Sequence, residues 1–334
     1  MVIDYAFIWA GIIAFSVLVY VVMDGFDLGV GILFPFGRSE ADRNLMMNSV
    51  APIWDGNETW LVLGGGGLFA VFPLAYAVIM PALYMPIILM LLALVFRGVA
   101  FEYRWRTKRW KPVWDIAFFG GSTIAAFMQG IALGAIVQGI EVANRAYSGG
   151  WWDWLTPFSV LTGVAVVIGY ALLGATWLNL KLGGPVQAQM RGYARPLAIA
   201  TLGAIGLVSV LTPFQDIVYF ERWFKLPGIA FSMVMPALML LTTWKLFTGL
   251  RDHHDLTPFL ASLALFGISF IGIGISFYPY MVPPKLTIWQ VAAPESSLKF
   301  TLVGALVLVP LILGYTAYAY WVFRGKIDPE QGYH

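Results

Sequence analysis

Nine predominantly apolar stretches dominate the chain, at roughly 5–33, 50–70, 80–103, 114–138, 158–180, 194–214, 227–249, 257–279 and 299–323. About 20 apolar residues suffice to cross the hydrocarbon core as a helix. A closed β-barrel is the other spanning solution, but these runs are continuous and lack the period-two alternation a barrel needs. Composition agrees. Only 11% of the 334 residues are charged and mean hydropathy is +0.78, whereas a soluble domain carries about 25% charged residues. A cytosolic enzyme is therefore excluded. A net charge of +2 gives no sign of a nucleic-acid partner. With no cysteine, disulfides, iron–sulfur clusters, thiolate-bound haem and a Cys-ligated dinuclear copper site are excluded.

The first Lys or Arg is Arg38, so the N-terminal stretch lacks the basic start of a cleavable signal and is expected to be a retained span. With the N-terminus outside and the C-terminus cytoplasmic, 14 of the 20 basic residues fall in cytoplasmic segments and 5 in outer ones. This is the asymmetry that the positive-inside rule demands. Trp151, Trp152, Trp154, Tyr318, Tyr320 and Trp321 crowd the expected borders, as interfacial aromatics do. Met80-Pro81-Ala82-Leu83 matches Met235-Pro236-Ala237-Leu238, and Phe119-Gly120-Gly121-Ser122 resembles Phe266-Gly267-Ile268-Ser269. The offset of four helices predicts a parallel repeat. The expected fold is an all-α polytopic membrane protein of nine transmembrane helices. Residues 1–140 form a first four-helix bundle with a buried acidic cluster, 155–282 a second bundle, and 297–334 a peripheral ninth helix and tail.

Ionisable residues at membrane depth are costly and by default mark function. Here they concentrate in the first three stretches: Asp24 and Asp27, then Asp55 and Glu58, then Arg97 and Glu102. Each acid pair is spaced i,i+3 and so shares a helix face. Counting about 1.5 Å per residue, Asp24, Asp55 and Arg97 reach a similar level on the cytoplasmic side of the bilayer centre. The expectation is a partly hydrated cluster that passes protons or ions, with Arg97 tuning the carboxyls. The structural alternative is that Arg97 neutralises one carboxylate while Asp27 and Glu102 snorkel to the interface. For Glu102 that alternative is the expectation.

Other patterns read as packing. Gly64-Gly65-Gly66-Gly67 has no following Lys-Ser/Thr and lies inside a span, so it is no phosphate loop. Gly25/Gly29 and Gly130/Gly134 are GxxxG spacings expected at helix contacts. Asn57-Glu58-Thr59 matches a glycosylation acceptor and is inert at that depth. Gln129 and Gln138 are expected to hydrogen-bond inside the bundle. His253 and His254 fall in a cytoplasmic turn and His334 in the tail. No span therefore offers an imidazole to haem or copper, and no metal site is expected.

Three strings carry a family resemblance: Met23-Asp24-Gly25-Phe26-Asp27-Leu28-Gly29-Val30-Gly31, then Asn48-Ser49-Val50-Ala51-Pro52-Ile53-Trp54-Asp55-Gly56-Asn57-Glu58-Thr59-Trp60-Leu61, and Phe96-Arg97-Gly98-Val99-Ala100-Phe101-Glu102-Tyr103-Arg104. Together with Thr156-Pro157-Phe158, Gly174-Ala175-Thr176 and Pro310-Leu311-Ile312-Leu313-Gly314-Tyr315-Thr316, they resemble the second subunit of cytochrome bd-type quinol oxidases along essentially the whole chain. The resemblance implies a complex of the bacterial cytoplasmic membrane that oxidises quinol and reduces oxygen to water. It implies haem b and haem d in a partner, subunit I, with none bound by this chain. It also implies a cytoplasmic proton pathway through Asp24 or Asp27 and through Asp55. Glu58 stands where some members have Gln. A quinone held by this chain and a small accessory membrane subunit are left open. The same acids would serve a proton- or ion-coupled transporter, but their confinement to the first half argues against one. A purely structural scaffold for subunit I is the third reading.

Overall fold

The computed structural model describes residues 3–226 and 228–327; His334 lies outside them. The helices are α1 (Tyr5–Leu33), α2 (Glu40–Asn48), α3 (Trp54–Val71), α4 (Pro73–Ala82), α5 (Tyr84–Arg106), α6 (Lys111–Gln138), α7 (Pro157–Lys181), α8 (Gly184–Leu211), α9 (Ile217–Phe224), α10 (Gly228–Arg251), α11 (Leu256–Phe277), α12 (Ile288–Val291) and α13 (Glu295–Val322). Two small antiparallel hairpins complete the fold: β1 (Val142–Ala143) with β2 (Ala146–Tyr147), and β3 (Tyr280–Val282) with β4 (Leu286–Thr287).

Eight helices among the described residues are long and apolar enough to cross a membrane: α1, α5, α6, α7, α8, α10, α11 and α13. The second predicted stretch forms α3, which is not one of the eight. Its 18 residues open with Trp54-Asp55-Gly56-Asn57-Glu58, and this polar start lowers its hydropathy. The interval between the second and third stretches is also helical. Leu83 separates α4 from α5, so Met80-Pro81-Ala82-Leu83 spans a helix junction, while its partner tetrapeptide lies inside α10.

Helix ends follow local chemistry. The Asp4 side chain accepts from Phe7 N at 2.9 Å to start α1, and Thr156 and Ser159 form a capping box on either side of Pro157 at the head of α7. Proline also occupies the first turns of α4, α6 and α8, where its missing N–H costs nothing.

The longest contacts join α1 to α3, α6 and α7, α5 to α6, α7 to α6, α8 and α11, and α10 to α11. α13 lies against α1 and α3 and leaves Phe300, Val303 and Val307 exposed, as a lipid-facing helix would. The α1–α7 crossing is close enough that a Cβ on Gly29 would overlap the Tyr170 carbonyl, and one on Gly174 the Gly29 backbone. Gly130 and Gly134 play the same part for α6 against Thr162 and Ser159 of α7. In the four-glycine run, Gly64 and Gly67 face Val17 and Ile13 of α1 at 3.4 and 3.5 Å, while Gly65 and Gly66 meet nothing within 4 Å.

Interactions between distant segments fix which helix ends lie together. Lys111 pairs with Glu40, Gln189 donates to the Phe36 carbonyl, Asn179 to that of His254, and Lys181 to that of Phe323. At the opposite end Trp9 donates to the Leu298 carbonyl and Trp289 to Asp4. The basic segments after α1, α5, α7 and α10 thus share one end of the molecule, hereafter the basic end.

Candidate functional site

Just before the Gly29 contact on α1, the apolar run is interrupted by Asp24 and Asp27, both 0% exposed. They face α3 and α5. Arg97, also 0% exposed, extends from α5, and its Nη1 donates to Asp24 Oδ1 at 3.2 Å and to Glu58 Oε1 at 2.8 Å. Gly121 of α6 allows this approach, since a Cβ there would press on the Ala93 carbonyl at 2.6 Å and on Arg97 Cβ at 3.1 Å. The guanidinium carbon lies 5.8 Å from the Trp54 ring and 5.6 Å from Phe101, and these two rings stack at 4.7 Å and 6°. Aromatic faces favour a cation, so the pair supports the guanidinium without adding a fourth charge.

Asp27 is reached through a second set of contacts. Asn57 Nδ2 donates to Asp27 Oδ2 at 2.6 Å, and Tyr320 OH of α13 donates to Asn57 Oδ1 at 3.0 Å. Asp27 therefore does not snorkel; the side chain of Asn57 holds it inside. Glu102 is exposed and pairs with Arg106 at 3.4 Å. Asp55 stands apart from the cluster. It is exposed in the first turn of α3, and its carboxylate has no ion pair within 4.0 Å among the described residues.

Proceeding inward from the basic end, the acids become progressively more enclosed. Asp55 is exposed, Glu58 has a quarter-exposed side chain, and Asp24 is fully buried on Arg97. A single guanidinium faces Asp24 and Glu58 directly with Asp27 beside them, so three carboxyls of the cluster share one cationic partner. Four of its buried polar atoms, Asp24 Oδ2, Asp27 Oδ1, Arg97 Nε and Arg97 Nη2, have no hydrogen-bond partner among the described residues. They comprise two acceptors and two donors, a set that ordered water can satisfy.

Beyond the acids, Gln129 of α6 donates to Tyr20 OH at 2.8 Å and accepts from Tyr170 OH at 2.7 Å, linking α1, α6 and α7. Gln138 accepts from Thr156. Both glutamines thus bond inside the helical assembly. Sequence reasoning missed the roles of Asn57 and Tyr320, the first being visible only as a glycosylation match. It also missed Arg104, counted with the basic loop but fully buried, with Nε on Asp115 Oδ1 at 2.5 Å and Nη1 on Asn44 Oδ1 at 2.7 Å.

Neither described histidine lies within a membrane-length helix. His253 and His254 occupy the α10–α11 turn, where His253 Nδ1 meets Arg191 Nη1 at 2.6 Å. No group of three or more His, Cys, Asp or Glu among the described residues has metal-holding geometry.

The sequence model of the cytochrome bd terminal oxidase subunit II family matches residues 5–323. The chain belongs to that family. It is 31% identical to the cytochrome bd-I ubiquinol oxidase subunit 2 of Escherichia coli K12, over 98% of this chain and 97% of that protein. It is 28% identical to the cytochrome bd ubiquinol oxidase subunit 2 of Bacillus subtilis 168, over 97% of each. The fold matches a chain in the structure of bd oxidase from Geobacillus thermodenitrificans with a TM-score of 0.78 and 17% identity, covering 97% of this chain and all of that one.

Proposed function

We propose that this chain is the second subunit of a cytochrome bd-type quinol:oxygen oxidoreductase of the bacterial cytoplasmic membrane. It docks a haem-bearing subunit I and supplies protons to it from the cytoplasm. The observation that carries the proton role is the graded series Asp55, Glu58, Asp24, the last two held by Arg97, in a chain of this family. The nine-helix topology follows when α3 is counted as a span. Its 18 residues rise about 27 Å, close to the roughly 30 Å hydrocarbon thickness. On this reading α1, α3, α5 and α6 form one bundle, α7, α8, α10 and α11 another, and α13 lies outside both. The N-terminus is then outside and the basic end cytoplasmic.

Oxygen reduction to water takes up protons at a buried centre; quinol would supply the electrons, and the haems of subunit I would carry them to oxygen. The residues of this chain do the acid–base part. Asp55 on the outer face of α3 receives a proton near the basic end. Glu58 lies about one turn deeper and passes it toward Asp24. Arg97 keeps the remaining negative charge paired, so the carboxyls exchange protons without a wide aqueous channel. Asp55 needs cover from outside the chain, and subunit I seated on α3 provides it. Quinol and oxygen are substrates of the whole complex, and lipid bathes the outer helices.

The test is to co-express the chain with subunit I and measure quinol-dependent oxygen uptake and haem content for Asp24→Asn and Asp55→Asn. Turnover should fall at least tenfold, equivalent to about 1.4 kcal/mol or more on the barrier, with haem content intact. Normal turnover would remove the relay. Loss of haem would assign these acids to assembly instead.

A further inference from the structure

The relay just described does not use Asp27, Asn57 or Tyr320, although these three residues form a continuous hydrogen-bonded file from α1 through α3 to α13. Beside the file lies a small cavity of ≈ 20 Å³, lined in part by Pro52, Gly56, Asn57, Tyr315 and Tyr320. That volume accommodates about one water molecule, and the Asn57 and Tyr320 side chains supply polar partners for it. The cavity is near the basic end, since Gly56 is in the first turn of α3 and Tyr320 in the last turn of α13. The opposite end of the file reaches Asp27, which is 0% exposed and whose Oδ1 has no protein partner among the described residues. Asp24 of α1, Glu58 of α3, Arg97 of α5 and Tyr320 of α13 are the ionisable groups around it.

Stability alone does not explain this arrangement. Buried polar chains are often no more stable than apolar replacements of the same shape. α13 already packs through apolar side chains such as Leu298 and Ala305. We propose that the seam between α3 and α13 is a second, water-fed limb into the acid cluster, ending at Asp27 and controlled by the Asn57 side chain. Asn57 separates the cavity from the Asp27 carboxylate. A change of its rotamer, without helix movement, brings cavity water to Asp27. The water-borne proton then binds the carboxylate and passes on to Asp24, one helical turn away. Asn57 carries no proton itself; it and Tyr320 are positioning residues, the Tyr320 hydroxyl returning the amide to its place. The inference rests on the proton-supply reading of the cluster.

The test uses the assembled oxidase with haem content verified. Gly56 has open space on its cavity side, its added Cβ meeting only Tyr315 Cε1, at 3.9 Å. Gly56→Val places its side chain in that space and fills the seam. Asn57→Leu removes the polar gate at similar volume. Both Gly56→Val and Asn57→Leu should lower turnover several-fold and raise the solvent deuterium isotope effect, because proton delivery becomes limiting. A structural defect would lower haem content or stability without raising the isotope effect. If both variants keep the parental turnover and isotope effect while Asp24→Asn slows the enzyme, the limb is refuted and the main relay stands. If Asp24→Asn is also silent, both fall together.

Discussion

Arg97 Nη1 stands between Asp24 Oδ1 at 3.2 Å and Glu58 Oε1 at 2.8 Å, so one guanidinium on α5 joins α1 to α3 inside the molecule. Removing one member of a buried ion pair typically costs about 3–5 kcal/mol, because the other charge is left uncompensated. Arg97→Leu should therefore lower the thermal midpoint of the purified complex sharply. Adding Asp24→Asn to the same protein should recover part of the loss, since the buried carboxylate that Arg97 served is then neutral. A thermal melt of wild type, both single variants and the double variant measures the coupling directly.

The α1–α7 crossing makes a different prediction, about shape. Gly29 and Gly174 bring two helix backbones into contact with no room for a Cβ on either side. Gly29→Ala should push α1 and α7 apart at a cost of about 1–3 kcal/mol or more, as for other overpacked cores. Gly66→Ala is the control: it meets nothing within 4 Å and should be neutral or gain the roughly 0.5–1 kcal/mol of helix propensity. Equal stability of the two variants would mean that the helices can separate freely at Gly29.

Much of this architecture was legible because apolar runs of this length leave few alternatives. Long helices formed close to where the runs predicted. The least regular region was α3 and α4, where the polar start of α3 and the helical Pro73–Ala82 segment break the simple pattern of span and loop. Within the site, the residue types drew attention to Asp24, Asp27, Glu58 and Arg97, and these four do come together. The spacing rule was too coarse for Asp55. Residues three apart on a helix are about 60° apart around its axis, enough to turn Glu58 toward Arg97 while Asp55 faces outward. Asn57 stood out only as a glycosylation match and Tyr320 only as an interfacial aromatic, because their roles depend on a contact across 263 residues. Arg104 was hidden by its basic neighbours, which the topology rule had already accounted for.

Gln129 offers a test of how α1, α6 and α7 are held together below the acids. Its amide serves both Tyr20 and Tyr170, and both tyrosines are buried. Gln129→Leu would leave two buried hydroxyls without that partner, at about 1–3 kcal/mol each. Gln129→Leu combined with Tyr20→Phe and Tyr170→Phe should be more stable than Gln129→Leu alone, since no hydroxyl is then stranded. Denaturation midpoints of the assembled complex distinguish this from a simple packing defect, which the added substitutions would not repair.

At the basic end, α2 is fastened by polar contacts that differ in burial, the partly exposed Arg43–Asp115 pair at 3.5 Å among them. Arg104 is fully buried and bonds Asn44 of α2 and Asp115 of α6, while Glu40, exposed at the start of α2, pairs with Lys111. The hydrogen bond from Lys111, and then its charge, hold the Glu40 carboxyl below its ordinary value. A carboxyl depressed in the folded state contributes above its unfolded value, and that contribution is lost as pH falls through the depressed one. Amide protection across Glu40–Asn48 should therefore weaken in acid just below the ordinary glutamate range, and Lys111→Gln should remove that particular dependence. The effect is small because the pair is exposed. Arg104→Ala should act more strongly and across the pH range, since it removes a buried donor set and leaves Asn44 and Asp115 without it. Hydrogen exchange and limited proteolysis at α2 should then show opening at neutral pH in Arg104→Ala but not in Lys111→Gln. Equal protection in both variants would mean that α2 is held by its other contacts, the Arg43–Asp115 pair and the buried Met46 and Met47.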